Sequence, residues 1–312
     1  MRGAPFIQVK NVTKRFKKNL VLDNISLEIP YGKVFGIIGK SGCGKTTLLN
    51  MIIGFLKPTK GLIYYQSRSI FKDMKNIEMT FGFASQDLSF YDKLTVEENL
   101  RYFGNLYGLR RDEIKNRIEE LLQLVELIDA RKTISDRLSM GMQRRLDIAC
   151  SMIHNPKVLI LDEPTQDLDP ILRKEVLRVI KKVNETGTTV IITSHLLDEI
   201  NYLCDNIAII NDSKIVKVES PRELEEDYAV NSVITIETLG RRYDDIIKDV
   251  KKIDGIDYID VDKGRLIVHS PKAERIFNQV LRIIRNKREK VISSYIGKPS
   301  LDDIFEMVVK KR

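Results

Sequence analysis

The chain has 312 residues, of which 43% are hydrophobic and 31% charged, with a formal net charge of +8. That supplies enough apolar material for a sizeable core in one or two domains and excludes a disordered chain. The basic excess is spread without a long run of one sign, so no nucleic-acid partner is expected, and no stretch of about 18 apolar residues reads as a membrane span.

In chain order, Phe6-Ile7-Gln8-Val9 and Ile25-Ser26-Leu27-Glu28-Ile29 alternate as strands do. Val34-Phe35-Gly36-Ile37-Ile38 is a short apolar run that suits a buried strand. Thr46 to Phe55 reads as a helix, with Leu48, Leu49, Ile52 and Ile53 at helical spacing. Residues 96–130 are mostly helical, and Glu113 to Ile128 carries Ile114, Ile118, Leu121, Leu122 and Val125 on one face. Ser139 to Asn155 is a further helix, stopped by Pro156. Val158-Leu159-Ile160-Leu161 is a buried strand, Pro170 to Asn184 a helix, and Thr188 to Thr193 and Ile207 to Ile210 are strands. Strands alternating with helices predict an α/β fold with a largely parallel sheet.

Pro221 to Asp227 is charged and helical in character. A new unit follows: a strand at Val233 to Ile236, a helix over 242–253, a hairpin around Asp262-Lys263-Gly264, a helix over 272–287 and a strand over 291–296. The order β-α-β-β-α-β predicts a small α+β, ferredoxin-like domain. Pro299-Ser300-Leu301-Asp302-Asp303 caps a last helix. The expected domains are 1–228 and 229–312. The first residues, Met1 to Pro5, lack an apolar signal core. Three cysteines, Cys43, Cys150 and Cys204, show no metal spacing and suit a reducing cytosol.

The first chemistry-bearing segment is Gly39-Lys40-Ser41-Gly42-Cys43-Gly44-Lys45-Thr46, followed by Thr47. It matches G-x-x-x-x-G-K-T between a predicted strand and a predicted helix. Its glycines let backbone N–H groups wrap phosphates, and the helix start adds a positive end. Lys45 is expected to reach the outer phosphates of ATP and Thr46 to ligate Mg²⁺, with Cys43 a small spacer. The second segment is Leu161-Asp162-Glu163 at the end of a buried strand. Asp162 is placed to hold Mg²⁺, and Glu163 to act as general base on a water.

With these segments in order, the chain resembles the ATP-binding cassette family over roughly residues 5–220. The resemblance implies a P-loop cassette: a mostly parallel core sheet, an antiparallel N-terminal β subdomain and a helical signature subdomain. Leu138-Ser139-Met140-Gly141-Met142-Gln143 stands where the family has Leu-Ser-Gly-Gly-Gln. The resemblance implies that Ser139, Gly141 and Met142 contact ATP held by an opposite subunit. Met140 replaces the first glycine, and Met142 replaces the glutamine, as in drug and lipid exporters. As plain sequence, Ser139 is also a helix N-cap. Gln86 matches the glutamine loop that contacts Mg²⁺ and senses the membrane partner, and His195 the switch histidine at the γ-phosphate. Phe16 occupies the adenine-stacking position, where tyrosine is usual; otherwise it reads as a core aromatic. Asp169 matches the loop that crosses the dimer, and Asp167 stands there in place of a small residue.

The implied function is that of an ATPase subunit, working as a homodimer or with another cassette. It would sit on the cytoplasmic side of a membrane and power export through a separate membrane-spanning permease. Tyr91 to Leu100 resembles the segment that abuts such a partner; as plain sequence it is a loop followed by a Thr95–Glu98 capping box. The ending Pro299 to Phe305 is similar to the tails of two-gene exporters, so the C-terminal domain reads as a dimerisation or regulatory appendage. The alternative is a soluble cassette acting in DNA repair or on ribosomes. Against it, the interval between phosphate loop and signature is too short for a long coiled coil.

Overall fold

The computed structural model describes residues 6–228, 232–262 and 264–310. Residues 1–5, on which the signal-core reading falls, and Lys263 of the predicted hairpin turn lie outside the described residues. The chain divides into two units, Met1–Ser220 and Pro221–Arg312.

The first unit opens with β1 (Ile7–Phe16) and β2 (Asn19–Ile29), then β3 (Val34–Ile38), α1 (Lys45–Ile53), β4 (Lys60–Tyr65) and β5 (Arg68–Ser69). Next come α2 (Met74–Thr80), β6 (Phe81–Ala84) and the helices α3 (Val96–Leu106), α4 (Arg111–Leu124) and α5 (Met140–Met152). The unit closes with β7 (Val158–Asp162), α6 (Pro170–Glu185), β8 (Thr189–Ser194), α7 (Leu197–Leu203), β9 (Asn206–Asn211) and β10 (Lys214–Glu219).

Two sheets result. An antiparallel one has the order β2-β1-β4-β5, and a six-stranded one has the order β10-β9-β3-β8-β7-β6. Strands β9, β3, β8, β7 and β6 run parallel, and β10 is antiparallel on the β9 edge. The reason is visible in the burial: every residue of β3, β7 and β8 is buried, as strands covered on both faces must be. One core cluster joins Ile7, Val9, Leu22 and Ile25 of the antiparallel sheet to Phe35 and Ile37 of β3 and to Leu48, Leu49 and Ile52 of α1. Helices α3, α4 and α5 pack on one another, and α5 also packs on α6 and β6. The Thr95–Glu98 capping box is formed at the start of α3.

Several helices end short of the sequence expectation, among them α1 at Ile53, α4, α5 and α9 at Val250. Helix α4 stops at Leu124 because Arg145 of α5 donates from Nη1 to the carbonyls of Val125 and Glu126, at 3.1 and 3.3 Å, and Glu126 turns to φ +57°. Helix α5 stops at Met152, with Asn155 at φ +56°.

The second unit contains α8 (Pro221–Tyr228), β11 (Ser232–Thr238), α9 (Asp244–Val250), β12 (Tyr258–Asp262), β13 (Arg265–Ser270), α10 (Ala273–Asn286), β14 (Val291–Gly297) and α11 (Leu301–Lys310). Its antiparallel sheet has the order β12-β13-β11-β14. Ile234, Ile236, Leu266 and Val268 of that sheet share a core with Ile246 and Val250 of α9 and Ile276, Val280 and Ile284 of α10. Ser300 caps α11, its hydroxyl accepting from the Asp303 N–H. Helix α8 groups with this unit, where it packs on α11, so the division lies at 220/221 and not after residue 228.

Candidate functional site

Four adjacent strands end within a residue of one another in register. Ile38 of β3 pairs with Ser194 of β8, and Asp162 of β7 with Thr193 of β8. Ala84 of β6 pairs with Leu161 of β7. The loops that follow carry Gly39–Thr46, His195, Glu163 and Gln86, so one sheet edge gathers residues up to about 150 positions apart. Ligand sites of parallel sheets lie at this carboxyl edge.

The loop from β3 to α1 needs its glycines for different reasons. Gly42 and Gly44 have φ +78° and +105°, which side chains rarely adopt. At Gly39 a Cβ would lie 2.5 Å from both the Ile210 carbonyl oxygen and Cys43 Sγ, so the loop can press on β9 only without one. Helix α1 starts with no side-chain cap and no acidic residue in its first turn. Its first N–H groups and the positive end of its dipole are therefore directed at whatever enters the loop. A cavity of about 350 Å³ lies there, lined by Ser41, Gly42, Gly44, Lys45, Thr46 and Thr47 of the loop, together with Val21, Gln86, Glu163 and Gln166.

Lys45 is buried, and its ammonium is compensated on two sides. Nζ donates to the Gly39 carbonyl at 3.0 Å and stands 3.2 Å from Glu163 Oε1. The second oxygen of Glu163, Oε2, accepts from His195 Nδ1 at 3.0 Å. One carboxylate thus bridges a lysine and a histidine contributed by two other loops. Glu163 holds φ +47°, a strained position for a residue with a side chain. It is pinned there by its own N–H, which donates to Thr193 Oγ1 at 2.9 Å. The same hydroxyl donates to Asp162 Oδ1. Thr193 therefore orients the acids on both sides of the strand end.

Cys43 is half-buried, and burial pushes its thiol pKa up, which keeps it protonated and suits a spacer. Among the described residues no group of three His, Cys, Asp or Glu side chains gathers as a metal cage. Besides Glu163, whose carboxylate Lys45 and His195 engage, the oxygen donors at this edge include one carboxylate (Asp162), one hydroxyl (Thr46) and one amide (Gln86). That is a fit for Mg²⁺, which takes few protein ligands and keeps water and substrate phosphate.

Several expected residues are not among those lining the cavity. Asp162 and His195 stand one contact behind Glu163. Phe16, at the end of β1, is 46% exposed with Lys14 Nζ 4.9 Å from its ring centre; it is not a core aromatic. Ser139, Gly141 and Met142 lie on another element. Ser139 caps α5, accepting from the Met142 N–H, and Met140 beside it is half-exposed. Gly141 faces α6, where a Cβ would come 2.9 Å from Leu172 Cδ2. Asp169 caps α6 through the N–H groups of Ile171 and Leu172, and Asp167 holds φ +62°.

Sequence reading passes over four polar residues of this edge. Thr193 looks like one more β-branched strand residue. Glu199 is 2% exposed and accepts from the hydroxyls of Thr165 and Ser194, both at 2.7 Å, while Arg173 Nε lies 3.3 Å away. It ties the loop after Glu163 to the strand end before His195. Arg144 and Asp147, inside α5, reach back to the loop of Gln86. Their only sequence signal is charge on the face of a helix that otherwise reads as core.

A family model described as ABC transporter matches residues 22–166. The chain is 29% identical over 301 residues to the linearmycin resistance ATP-binding protein of Bacillus subtilis (strain 168), covering 96% of each chain. It is 36% identical over 215 residues to the bacitracin transport ATP-binding protein of Bacillus licheniformis, covering 69% of each. Other relatives are longer, and the chain spans only 31% to 39% of them. Among solved structures, a dimeric post-hydrolysis state of an ATP-binding cassette bound to ADP and Pi is similar, with a TM-score of 0.61 and 28% identity; the match covers 69% of this chain and 98% of that one.

Proposed function

The chain belongs to the ABC transporter family, whose ATP-binding subunits hydrolyse ATP to power transport, and we propose that it drives an exporter from the cytoplasmic face of a membrane through a separate membrane-spanning permease. Relatives named for linearmycin resistance and bacitracin transport support that reading. Among the described residues no helix is long and apolar enough to cross a membrane. The linearmycin resistance relative matches over more residues than the first unit contains, so the likeness extends into the second. The second unit then serves as a dimerisation or regulatory appendage.

The observation that carries the catalytic part is the bridge Lys45–Glu163–His195 at the rim of the phosphate-loop cavity. In this reading, Lys45 and the start of α1 hold the outer phosphates of ATP. Glu163, beside Lys45, takes the proton of the attacking water, and its bond to His195 keeps that carboxylate aimed. Mg²⁺, when bound by Thr46, Gln86 and Asp162, neutralises phosphate charge. Phe16, exposed at the end of β1, offers a π face for the adenine.

Ser139, Gly141 and Met142 lie away from the cavity, so a site complete in them needs a second cassette. Two copies facing each other would give each site the Lys45 of one subunit and the Ser139 of the other. ATP favours the closed pair through its contacts with both halves, and hydrolysis removes that bias. Mixing two inactive variants tests this. Lys45→Ala and Ser139→Arg chains are each expected to lack ATPase activity. Mixed, they form pairs with one intact site, and with random pairing turnover recovers to at most about a quarter of wild type. A mixture as inactive as its components would overturn the shared-site reading.

A further inference from the structure

Residues 85–89 form the loop that leaves β6 and brings Gln86 to the cavity. Both of its ends are held by one helix. Arg144 of α5 donates from Nη1 to the Ser85 carbonyl at 2.9 Å and from Nη2 to the Gln86 carbonyl at 2.8 Å. One turn further on, Asp147 Oδ1 accepts from the Ser89 N–H at 2.9 Å. Arg144 and Asp147 also face each other, with Nη1 and Oδ2 3.7 Å apart. They are 6% and 1% exposed.

Placing a guanidinium and a carboxylate in such a site costs several kcal/mol of desolvation per ion. Burial accordingly lowers the Arg144 pKa and raises that of Asp147 to about 6. An apolar pair of similar volume would hold the helix at least as firmly, so helix packing does not explain the charges. Backbone carbonyls and an N–H do, since only a fork of donors and an acceptor can grip a loop by its main chain. The carboxylates of Asp87 and Asp167 also act on Arg144. The guanidinium is thus held against the glutamine loop by its two hydrogen bonds and feels the negative charge of both that loop and the loop that follows Glu163.

Helix α5 begins at the cap Ser139. We propose that Arg144 and Asp147 are positioning residues that lock the Gln86 loop to the helix presenting Ser139, so that the two move as one body. The inference rests on the proposed roles of Gln86 and Ser139. A nucleotide that draws Gln86 toward one site would then shift the surface that the same subunit offers to its partner.

The test uses the full chain with Arg144→Gln, Arg144→Lys and Asp147→Ala. Turnover is measured against ATP and against Mg²⁺, ATP binding by titration, and loop protection by hydrogen exchange. Removing two charge-assisted hydrogen bonds from the loop should lower kcat by roughly tenfold or more in Arg144→Gln. The half-saturating Mg²⁺ concentration should rise and the Kd for ATP hold, because the Lys45 side is untouched. Amides 85–89 should lose protection while those of α4 keep theirs, which separates positioning from general destabilisation. Arg144→Lys should recover part of the rate, and Asp147→Ala should expose the Ser89 amide. If wild type hydrolyses ATP and Arg144→Gln keeps its kcat, Mg²⁺ dependence and loop protection, the inference is wrong and the reading of the site stands. If wild type itself neither binds nor hydrolyses ATP, the reading of the site fails first.

Discussion

Glu163→Gln tests the catalytic assignment most directly. The amide keeps the length of the side chain and an oxygen for His195 Nδ1, which now lies 3.0 Å from Oε2. What it removes is the ability to take a proton and the charge 3.2 Å from Lys45 Nζ. A positioned general base contributes about 10²–10⁴-fold, or about 3–5 kcal/mol of barrier. Turnover should therefore fall into that range. The lost ion pair acts in the other direction on binding. At an effective dielectric constant of about 20, two charges at this distance attract by about 5 kcal/mol before desolvation. Without that competitor, Lys45 is free for phosphate, and ATP should bind at least as tightly as to wild type. The assay is phosphate release for turnover, with size-exclusion chromatography in ATP for association. Low turnover with an accumulated ATP-bound dimer is the expected result. Turnover within a few-fold of wild type would refute the base assignment. Equal loss of binding and turnover would show that Glu163 only shapes the loop.

Other perturbations test the frame around the site. Gly39→Ala forces a Cβ to within 2.5 Å of the Ile210 carbonyl oxygen and Cys43 Sγ; it should destabilise the fold by about 1–3 kcal/mol and weaken ATP binding, read by thermal melting and titration. Glu199→Ala removes the acceptor of two buried hydroxyls and the negative charge 3.3 Å from Arg173 Nε and should cost about 3 kcal/mol in urea unfolding; a change below 0.5 kcal/mol would show that the cluster holds nothing. His154 is buried, stacked on Tyr107, with Nε2 3.2 Å from the Phe81 carbonyl oxygen. Burial lowers its pKa to about 4, below the ordinary 6.5. Its neutral form is therefore favoured in the fold. The stability it carries is complete above pH 6.5 and is lost as pH falls toward 4, by about 3 kcal/mol in all. His154→Phe should flatten that slope relative to wild type in urea unfolding across the same pH window, and an unchanged slope would contradict the assignment.

The sequence alone determined the parts whose cause is local. Gly42, Gly44 and the capless start of α1 act within two turns of chain, so the phosphate loop and its flanking strand and helix are legible from spacing and residue type. The apolar runs of β3, β7 and β8 state their own burial. The β-α-β-β-α-β order of the second unit follows from strand and helix periods in the same way. Short elements were less legible: β6 has four residues, including a glycine, and shows no period to read. Helix ends and the unit boundary were decided from outside the segment. Arg145 takes the two carbonyls just past the end of α4, and α11 draws α8 into the second unit. The bridge of Lys45, Glu163 and His195 is likewise tertiary, since strand register brings together residues separated by more than 100 positions. So are the Arg144–Asp147 grip on the Gln86 loop and the Glu199 junction. Side-chain propensity reaches about one helical turn along the chain. Charge pairing and hydrogen bonding act through space, and only the folded chain fixes which groups meet.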